Sequence, residues 1–180
     1  MATETVWRLA SFGELDLLKK CADDGTDMDQ QDDRGFTPLC WAARNGHGPT
    51  LQYLIDAGGS LEKASFAGMT PLHHACNKNH EALIKQLLKA GADPVSKDEN
   101  GDHPLHWACA RGVLNNVVAL VDCGGDVHAK NGQGLTCMHK AAIFGNQQVC
   151  KRLAELGADV NVKDANGDTG WLNIALIFWF

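Results

Sequence analysis

The chain has 180 residues, 44% of them hydrophobic and 21% charged, and a formal net charge of −6. This composition is ordinary for a soluble domain, and the acidic balance argues against a nucleic-acid binder or a polybasic membrane anchor, which need clustered lysine and arginine. No apolar run reaches the length of a membrane span, and no basic, apolar leader follows Met1. Seven cysteines, an odd number, favour reduced thiols. We therefore expect a cytoplasmic protein, with the nucleus as the alternative.

A short pattern recurs along the chain every 33 residues. Thr-Pro-Leu-His-x-Ala is complete at residues 70–75 and returns with substitutions at residues 37–42, 103–108 and 136–141. Two rows of glycine keep the same step: Gly25, Gly58, Gly91, Gly124 and Gly157 in the first, and Gly35, Gly68, Gly101, Gly134 and Gly167 in the second. A fixed period of this length predicts a stack of repeated units.

Each unit between the glycines predicts two short helices. A threonine hydroxyl can cap the first helix, and proline fits its first turn. The second helix is leucine-rich, and the first-row glycine after it suits a helix end with positive φ, whereas the second-row glycines lie in polar turns. The break between the two helices is expected at Gly46, Asn79, Gly112 and Gly145. Helices this short are marginal alone in water, so their stability must come from stacking.

The repeats predict the organisation of the chain as a single array. Residues 1–31 lack the Thr-Pro-Leu-His motif and are expected to form an N-terminal capping repeat, because one face of a terminal unit meets water. Four full repeats follow, at residues 32–64, 65–97, 98–130 and 131–163, and residues 164–180 form a partial C-terminal repeat.

On these motifs the chain resembles the ankyrin-repeat family throughout residues 1–163, and weakly after that. The match is specific, since Thr-Pro-Leu-His-x-Ala at a period of 33 is that family's signature. The resemblance implies an all-α repeat solenoid of stacked helix-turn-helix units joined by β-turn or hairpin fingers. It also implies a protein without catalytic activity or cofactor, which binds partner proteins through a concave face of turn tips and first helices.

Carried over position by position, the resemblance gives a candidate protein-binding surface. Its residues are Arg34, Phe36, Trp41, Arg44, Phe66, Met69, His74, Lys78, Asp102, Trp107, Arg111, Leu135, Lys140 and Phe144. We expect the apolar turn residues among them to be exposed, and aromatic residues and arginine are enriched in binding hot spots. For Trp41 and Trp107 the sequence leaves open whether they contact a partner or pack along neighbouring helices. The basic residues favour a partner with apolar and some acidic groups.

Catalytic and metal-binding interpretations are weaker. His73 and Cys76, with His106 and Cys109, have the spacing of two zinc-ligand pairs. The resemblance instead makes these histidines donors or acceptors for the backbone of a neighbouring turn, and the cysteines are then small buried residues. Cys40 occupies a histidine position, which argues against a catalytic thiol. Asn161 resembles the ankyrin asparagines that cytosolic oxygenases hydroxylate, so it is a candidate modification site.

The last segment departs from the repeat pattern. Gly170 and Trp171 replace Pro-Leu, and residues 172–180 are nearly all apolar. Three explanations stay open: the sequence stops inside a longer array, the terminus is a natural variant, or it is an apolar contact site for self-association of a protein that is otherwise expected to be monomeric. The first explanation supports an alternative function, a targeting or substrate-recruitment domain of a larger enzyme such as a palmitoyltransferase or kinase.

Overall fold

A computed structural model describes residues 5–169, so the apolar segment 172–180 lies outside the described residues. The described chain forms helices in consecutive pairs. Their bounds are α1 Val6–Phe12, α2 Leu15–Asp23, α3 Pro38–Asn45, α4 Gly48–Asp56, α5 Pro71–Lys78, α6 Glu81–Lys89, α7 Pro104–Arg111, α8 Leu114–Asp122, α9 Cys137–Ile143 and α10 Gln147–Glu155, with a 3-10 helix at Phe66–Gly68. Isolated antiparallel bridges join Lys130 to Thr136 and Lys163 to Thr169. The prediction of an all-α fold of paired helices is confirmed. Across residues 5–169 no helix is both long and apolar enough to cross a membrane.

The chain divides into two compact units, Met1–Asp93 and Pro94–Phe180. In the first unit α3 packs between α1 and α5, and α4 contacts α2 and α6. In the second unit α7 packs on α9, and α8 on α10. The first helices approach closely because they carry alanine at their buried face, as at Ala42 and Ala108, and the second helices fill the core with leucine. The fully buried leucines and isoleucine include Leu39, Leu51, Leu54, Leu72, Ile84, Leu87, Leu105, Leu120 and Leu153.

Both glycine rows adopt the left-handed conformation that the sequence predicts. Their φ angles lie between +70° and +100°. The break between α5 and α6 falls at Asn79, which is also left-handed at φ +61°. Asparagine tolerates this conformation better than most residues, which explains why it can stand where the other repeats have glycine.

In α7 and α9 the histidine of the repeated motif ties the first helix to the next turn. In α7 the Nδ1 atom of His106 accepts a hydrogen bond from the backbone N–H of His103 at 3.1 Å, so Nε2 carries the proton and donates to the carbonyl of Leu135 at 3.1 Å. His139 repeats the arrangement, with Nε2 3.2 Å from the carbonyl of Asp168. Burial lowers the pKa of His106 to about 4, in keeping with a neutral ring. The predicted bond from the histidine position to a neighbouring turn is confirmed for His106, and His139 makes the same bond.

The cysteine side chains of the repeated motif, at positions 40, 76 and 109, are buried. The Sγ atom of Cys40 donates to the carbonyl of Lys63 at 3.5 Å, a bond equivalent to those of His106 and His139. Burial raises the pKa of Cys40 to about 11, so the thiol is protonated at neutral pH. Cys76 and Cys109 are fully buried, and within residues 5–169 no three histidine, cysteine or acidic side chains are grouped as metal ligands.

Candidate functional site

An aspartate at the start of a turn closes the turn with its side chain. One carboxylate oxygen of Asp32 accepts the backbone N–H groups of Arg34 and Phe36, each at 2.9 Å. Asp98 does the same for Asn100 and Asp102, again at 2.9 Å. These bonds satisfy N–H groups that the two turns would otherwise leave unpaired, and so stabilise the turn tips.

The same side chain also binds the variable residue of the motif nine positions later. The second oxygen of Asp32 accepts the indole N–H of Trp41 at 2.9 Å, and that of Asp98 accepts the indole N–H of Trp107 at 3.1 Å. Both tryptophans are half-buried, so each has an internal bond and an exposed part. In the repeat between them, Ser65 Oγ lies 2.7 Å from Nε2 of His74.

In the first unit these residues form a filled aromatic cluster. The ring of Phe36 stacks on Trp41 at 4.6 Å between centroids and lies 4.8 Å from the ring of His74. The guanidinium of Arg44 lies over two of these rings, 5.4 Å from the centroid of Phe36 and 5.5 Å from that of Trp41. Such cation–π and aromatic contacts add to the burial of the rings. The cluster leaves Arg44 as its half-exposed outer surface.

The expected exposure of the apolar turn residues is wrong for two of them. Phe36 is 4% exposed and Met69 is 8% exposed. Both stand immediately before the threonine that begins a first helix. At the equivalent position Asp102 is equally buried and Leu135 is half-buried, so side chains there are directed largely onto the stack. Phe66, at the tip itself, is 75% exposed.

His74, a predicted contact residue, is also buried, with 3% of its surface exposed. Burial lowers its pKa to about 3 from the ordinary 6.5, and the positive charges of Arg44 and Lys78 act in the same direction. In this conformation a partner does not reach the ring. His74 therefore contributes to the surface indirectly: its ring packs against Phe36, and its Nε2 atom lies within hydrogen-bond distance of Ser65 Oγ.

We expect the burial of His74 to make the protein acid-sensitive. The folded state resists protonation down to about pH 3, whereas the unfolded chain takes up the proton near pH 6.5, so stability that is complete above pH 6.5 is lost as the pH falls toward 3. The loss assigned to this residue is on the order of 1–2 kcal/mol at pH 5. Urea unfolding at pH 7 and pH 5 measures it, and His74→Gln should show a smaller difference between the two. An equal difference in both proteins would contradict the assignment.

The second unit has an open pocket where the first has its filled cluster. The pocket has a volume of about 170 Å³ and is lined by Asp102, His106, Trp107, Ala110, Arg111, Lys140 and Phe144. Phe144 is 61% exposed and Arg111 is exposed, so both lie at its opening. Trp107 presents the remainder of its half-buried indole to the space.

A buried ion pair forms the polar side of this pocket. The carboxylate of Asp102 accepts from Nζ of Lys140 at 2.8 Å and from Nδ2 of Asn131 at 2.8 Å. The side chain of Asp102 is 4% exposed and that of Lys140 is 18% exposed. Each charge is thus compensated, as burial requires. With Arg111 ionised and His106 neutral, the lining carries one net positive charge.

Comparison of positions 66 residues apart explains why the pocket is open. Trp107 corresponds to Trp41, but Asp102 stands where the first unit has Phe36, and Ala110 stands where it has Arg44. In the first unit the aromatic ring and the guanidinium cover the indole. Two short side chains in their place leave the indole uncovered.

The structure brings together part of the sequence-predicted surface. Five predicted residues line the pocket: Asp102, Trp107, Arg111, Lys140 and Phe144. In the first unit Arg34 and Lys78 are exposed, whereas in the second Leu135 is half-buried. His106 and Ala110 also line the pocket and are not among the residues of the predicted surface. The contrast between Ala110 and Arg44 two repeats earlier is a signal that the sequence contains.

The candidate modification site Asn161 lies in an exposed turn. Its backbone N–H donates to Oδ1 of Asp159 at 2.8 Å, and its side chain is accessible to solvent.

Comparisons with known proteins agree with the repeat pattern. The family model described as ankyrin repeats, in three copies, matches residues 6–98 and 83–164. Among curated proteins, the DNA-binding protein RFXANK of Homo sapiens is 40% identical over 53 residues. That match covers 29% of this chain and 20% of RFXANK, so the similarity concerns a small part of the relative's length.

Proposed function

This chain belongs to the ankyrin-repeat family, whose repeats generally mediate protein–protein interactions, and from that premise we propose a non-catalytic interaction module. It acts as an adaptor, scaffold or inhibitor, and its binding surface is formed by turn tips and first helices. RFXANK is a DNA-binding protein by name, but with a net charge of −6 this chain lacks the basic balance expected of a protein that binds DNA directly. We propose a protein partner for it.

The observation that carries the proposal is the pocket of the second unit. It combines a tryptophan, an exposed phenylalanine and an exposed arginine, the residue types that dominate binding hot spots. Its one histidine uses both ring nitrogens in backbone bonds, so His106 supports the scaffold. An accessible aromatic surface held by a rigid scaffold favours binding of a partner segment, because little side-chain freedom is lost on association.

We propose a cytoplasmic location on the state of the cysteines. All seven are thiols rather than members of disulfides, and five of them are buried. Cysteines that form no disulfide are typical of a reducing compartment.

Affinity purification from the source cells tests the proposed surface. The baits are the wild-type chain and the double variant Arg111→Glu, Phe144→Ala, which changes two exposed side chains at the pocket opening. The matched control is Arg152→Glu, the same charge reversal on α10 of the same unit. We expect the double variant to lose specific proteins that both other baits recover.

Trp107→Ala is a poor first test, because it would also remove the indole bond to Asp98 and weaken the fold. Circular dichroism and a urea unfolding curve verify that each bait is folded. Recovery of the same proteins by all three baits would show that the partner binds elsewhere.

A further inference from the structure

The pocket beside Trp107 has the dimensions and charge of a site for one particular kind of peptide. We propose that it receives a large apolar side chain of an extended partner segment, and that an aspartate or glutamate of the same segment pairs with Arg111 at the opening. This inference rests on the proposed function, since it specifies the chemistry of the partner that the module binds.

The volume of the pocket selects a side chain as its occupant. About 170 Å³ is several times the roughly 30 Å³ that one water molecule occupies in the liquid, so a single ordered water does not fill it. It is also well below the roughly 300–1,000 Å³ of pockets that hold cofactors or drug-sized ligands. One leucine, methionine or phenylalanine side chain matches this intermediate size. The indole of Trp107 and the ring of Phe144 supply apolar surface for it.

The charges of the pocket select the flanking group. The lining contains two cationic side chains, Lys140 and Arg111, and one anionic side chain, Asp102, and burial keeps His106 neutral, so the lining is net positive. A lysine or arginine in the pocket would meet this charge and would have to be desolvated without a carboxylate left to pair it. A carboxylate next to the apolar group instead finds a planar guanidinium at the opening, a geometry suited to two parallel hydrogen bonds.

Ala110 determines whether the pocket is open. At the equivalent position of the first unit the guanidinium of Arg44 covers the tryptophan at 5.5 Å. A longer side chain at position 110 should close the pocket in the same way. Ala110 is half-exposed in the last turn of a helix, where leucine is nearly as favourable as alanine, so Ala110→Leu fills the pocket without disturbing the helix.

The test uses a phage library of random dodecapeptides panned against the full 180-residue chain. Enriched peptides are synthesised with a fluorescent label, and their affinities are measured by fluorescence polarisation. We expect them to share a large apolar residue within a few positions of an aspartate or glutamate. Ala110→Leu should weaken their binding about tenfold or more, because the apolar side chain loses its burial. Arg111→Gln should weaken it roughly two- to fivefold, and more strongly at low salt.

Two variants of α10 in the same unit serve as matched controls. Ala154→Leu and Arg152→Gln make the same chemical changes at exposed or half-exposed positions outside the pocket, and both should keep the wild-type affinity within about twofold. Urea unfolding confirms that all four variants are folded.

Each other outcome overturns a defined part of the inference. Peptides that bind Ala110→Leu as well as the wild type would overturn the pocket assignment and leave the interaction module standing. Enrichment of basic peptides, or equal effects of Arg111→Gln and Arg152→Gln, would overturn the acidic flank. If no peptide is enriched, the inference as a whole fails, whereas the proposed function is decided separately by the affinity purification.

Discussion

Gly101→Ala is expected to lower the free energy of unfolding by about 3 kcal/mol, a large loss for a single methyl group. Gly101 has φ +73°, where a Cβ atom is strained. The added Cβ would also lie 2.8 Å from the backbone nitrogen of Gly132. That nitrogen donates to the carbonyl of Asn100 at 2.8 Å and joins two successive turns, so the clash cannot be relieved by rotating a side chain.

The matched control for this prediction is Gly124→Ala in the same repeat. Gly124 is left-handed as well, at φ +100°, but no heavy atom lies within 4 Å of the place that an added Cβ would occupy. Only the backbone strain remains, and we expect a loss of about 1 kcal/mol. Urea unfolding followed by circular dichroism measures both variants. Equal losses would show that the turns move apart easily and that the contact between them contributes little.

Lys140→Ala is expected to cost about 2–4 kcal/mol of unfolding free energy. The substitution removes the positive charge that lies against the carboxylate of Asp102, which is 4% exposed, and leaves the neutral amide of Asn131 beside it. The loss of this counter-charge is destabilising because the ion pair offsets part of the free-energy cost of removing the carboxylate from water. Urea unfolding at pH 7 gives the free energy directly.

Two further variants separate the loss of a charge pair from the loss of a lysine. Arg152→Ala breaks the pair between Arg152 and Glu155, whose side chains are 40% and 50% exposed, and should cost less than about 1 kcal/mol. Asp102→Met, combined with Lys140→Ala, installs the residue found at the equivalent position 69 and removes the buried charge. It should recover part of the loss. No recovery would mean that packing of the lysine stem, rather than its charge, is what stabilises this region.

The fold could be predicted from the sequence because the same pattern of residues recurs in successive units. A glycine row with one conformation in five successive units predicts that conformation in each, and the helix starts at Pro38, Pro71 and Pro104 follow from the motif. Local chemistry decides these features, so the pattern of residues is sufficient to predict them.

Exposure was harder to predict, since it depends on the direction of a side chain relative to its neighbours. Phe36 and Phe66 both belong to turns, yet one is 4% exposed and the other 75%. They differ in their distance from the helix start, which determines whether the chain points the residue onto the stack or away from it. Membership of a turn does not contain that information.

The pocket was harder still, because it results from side chains that are short. Ala110 is not among the residues of the predicted surface, and the comparison with Arg44 shows how much space its short side chain leaves. The residues around it, Trp107, Arg111 and Phe144, were predicted individually as contact residues, and the structure shows that they share one cavity.

The bond between the first residue of a turn and the variable residue nine positions later limits how this surface can evolve. The hydrogen-bonded pairs are Asp32 with Trp41, Asp98 with Trp107, and Ser65 with His74. A mutation of one residue of a pair removes the hydrogen-bond partner of the other, so accepted changes should occur as coupled substitutions. Related sequences, once aligned, should show these positions co-varying in pairs. A designer who transplants a tryptophan into another repeat should move its aspartate with it.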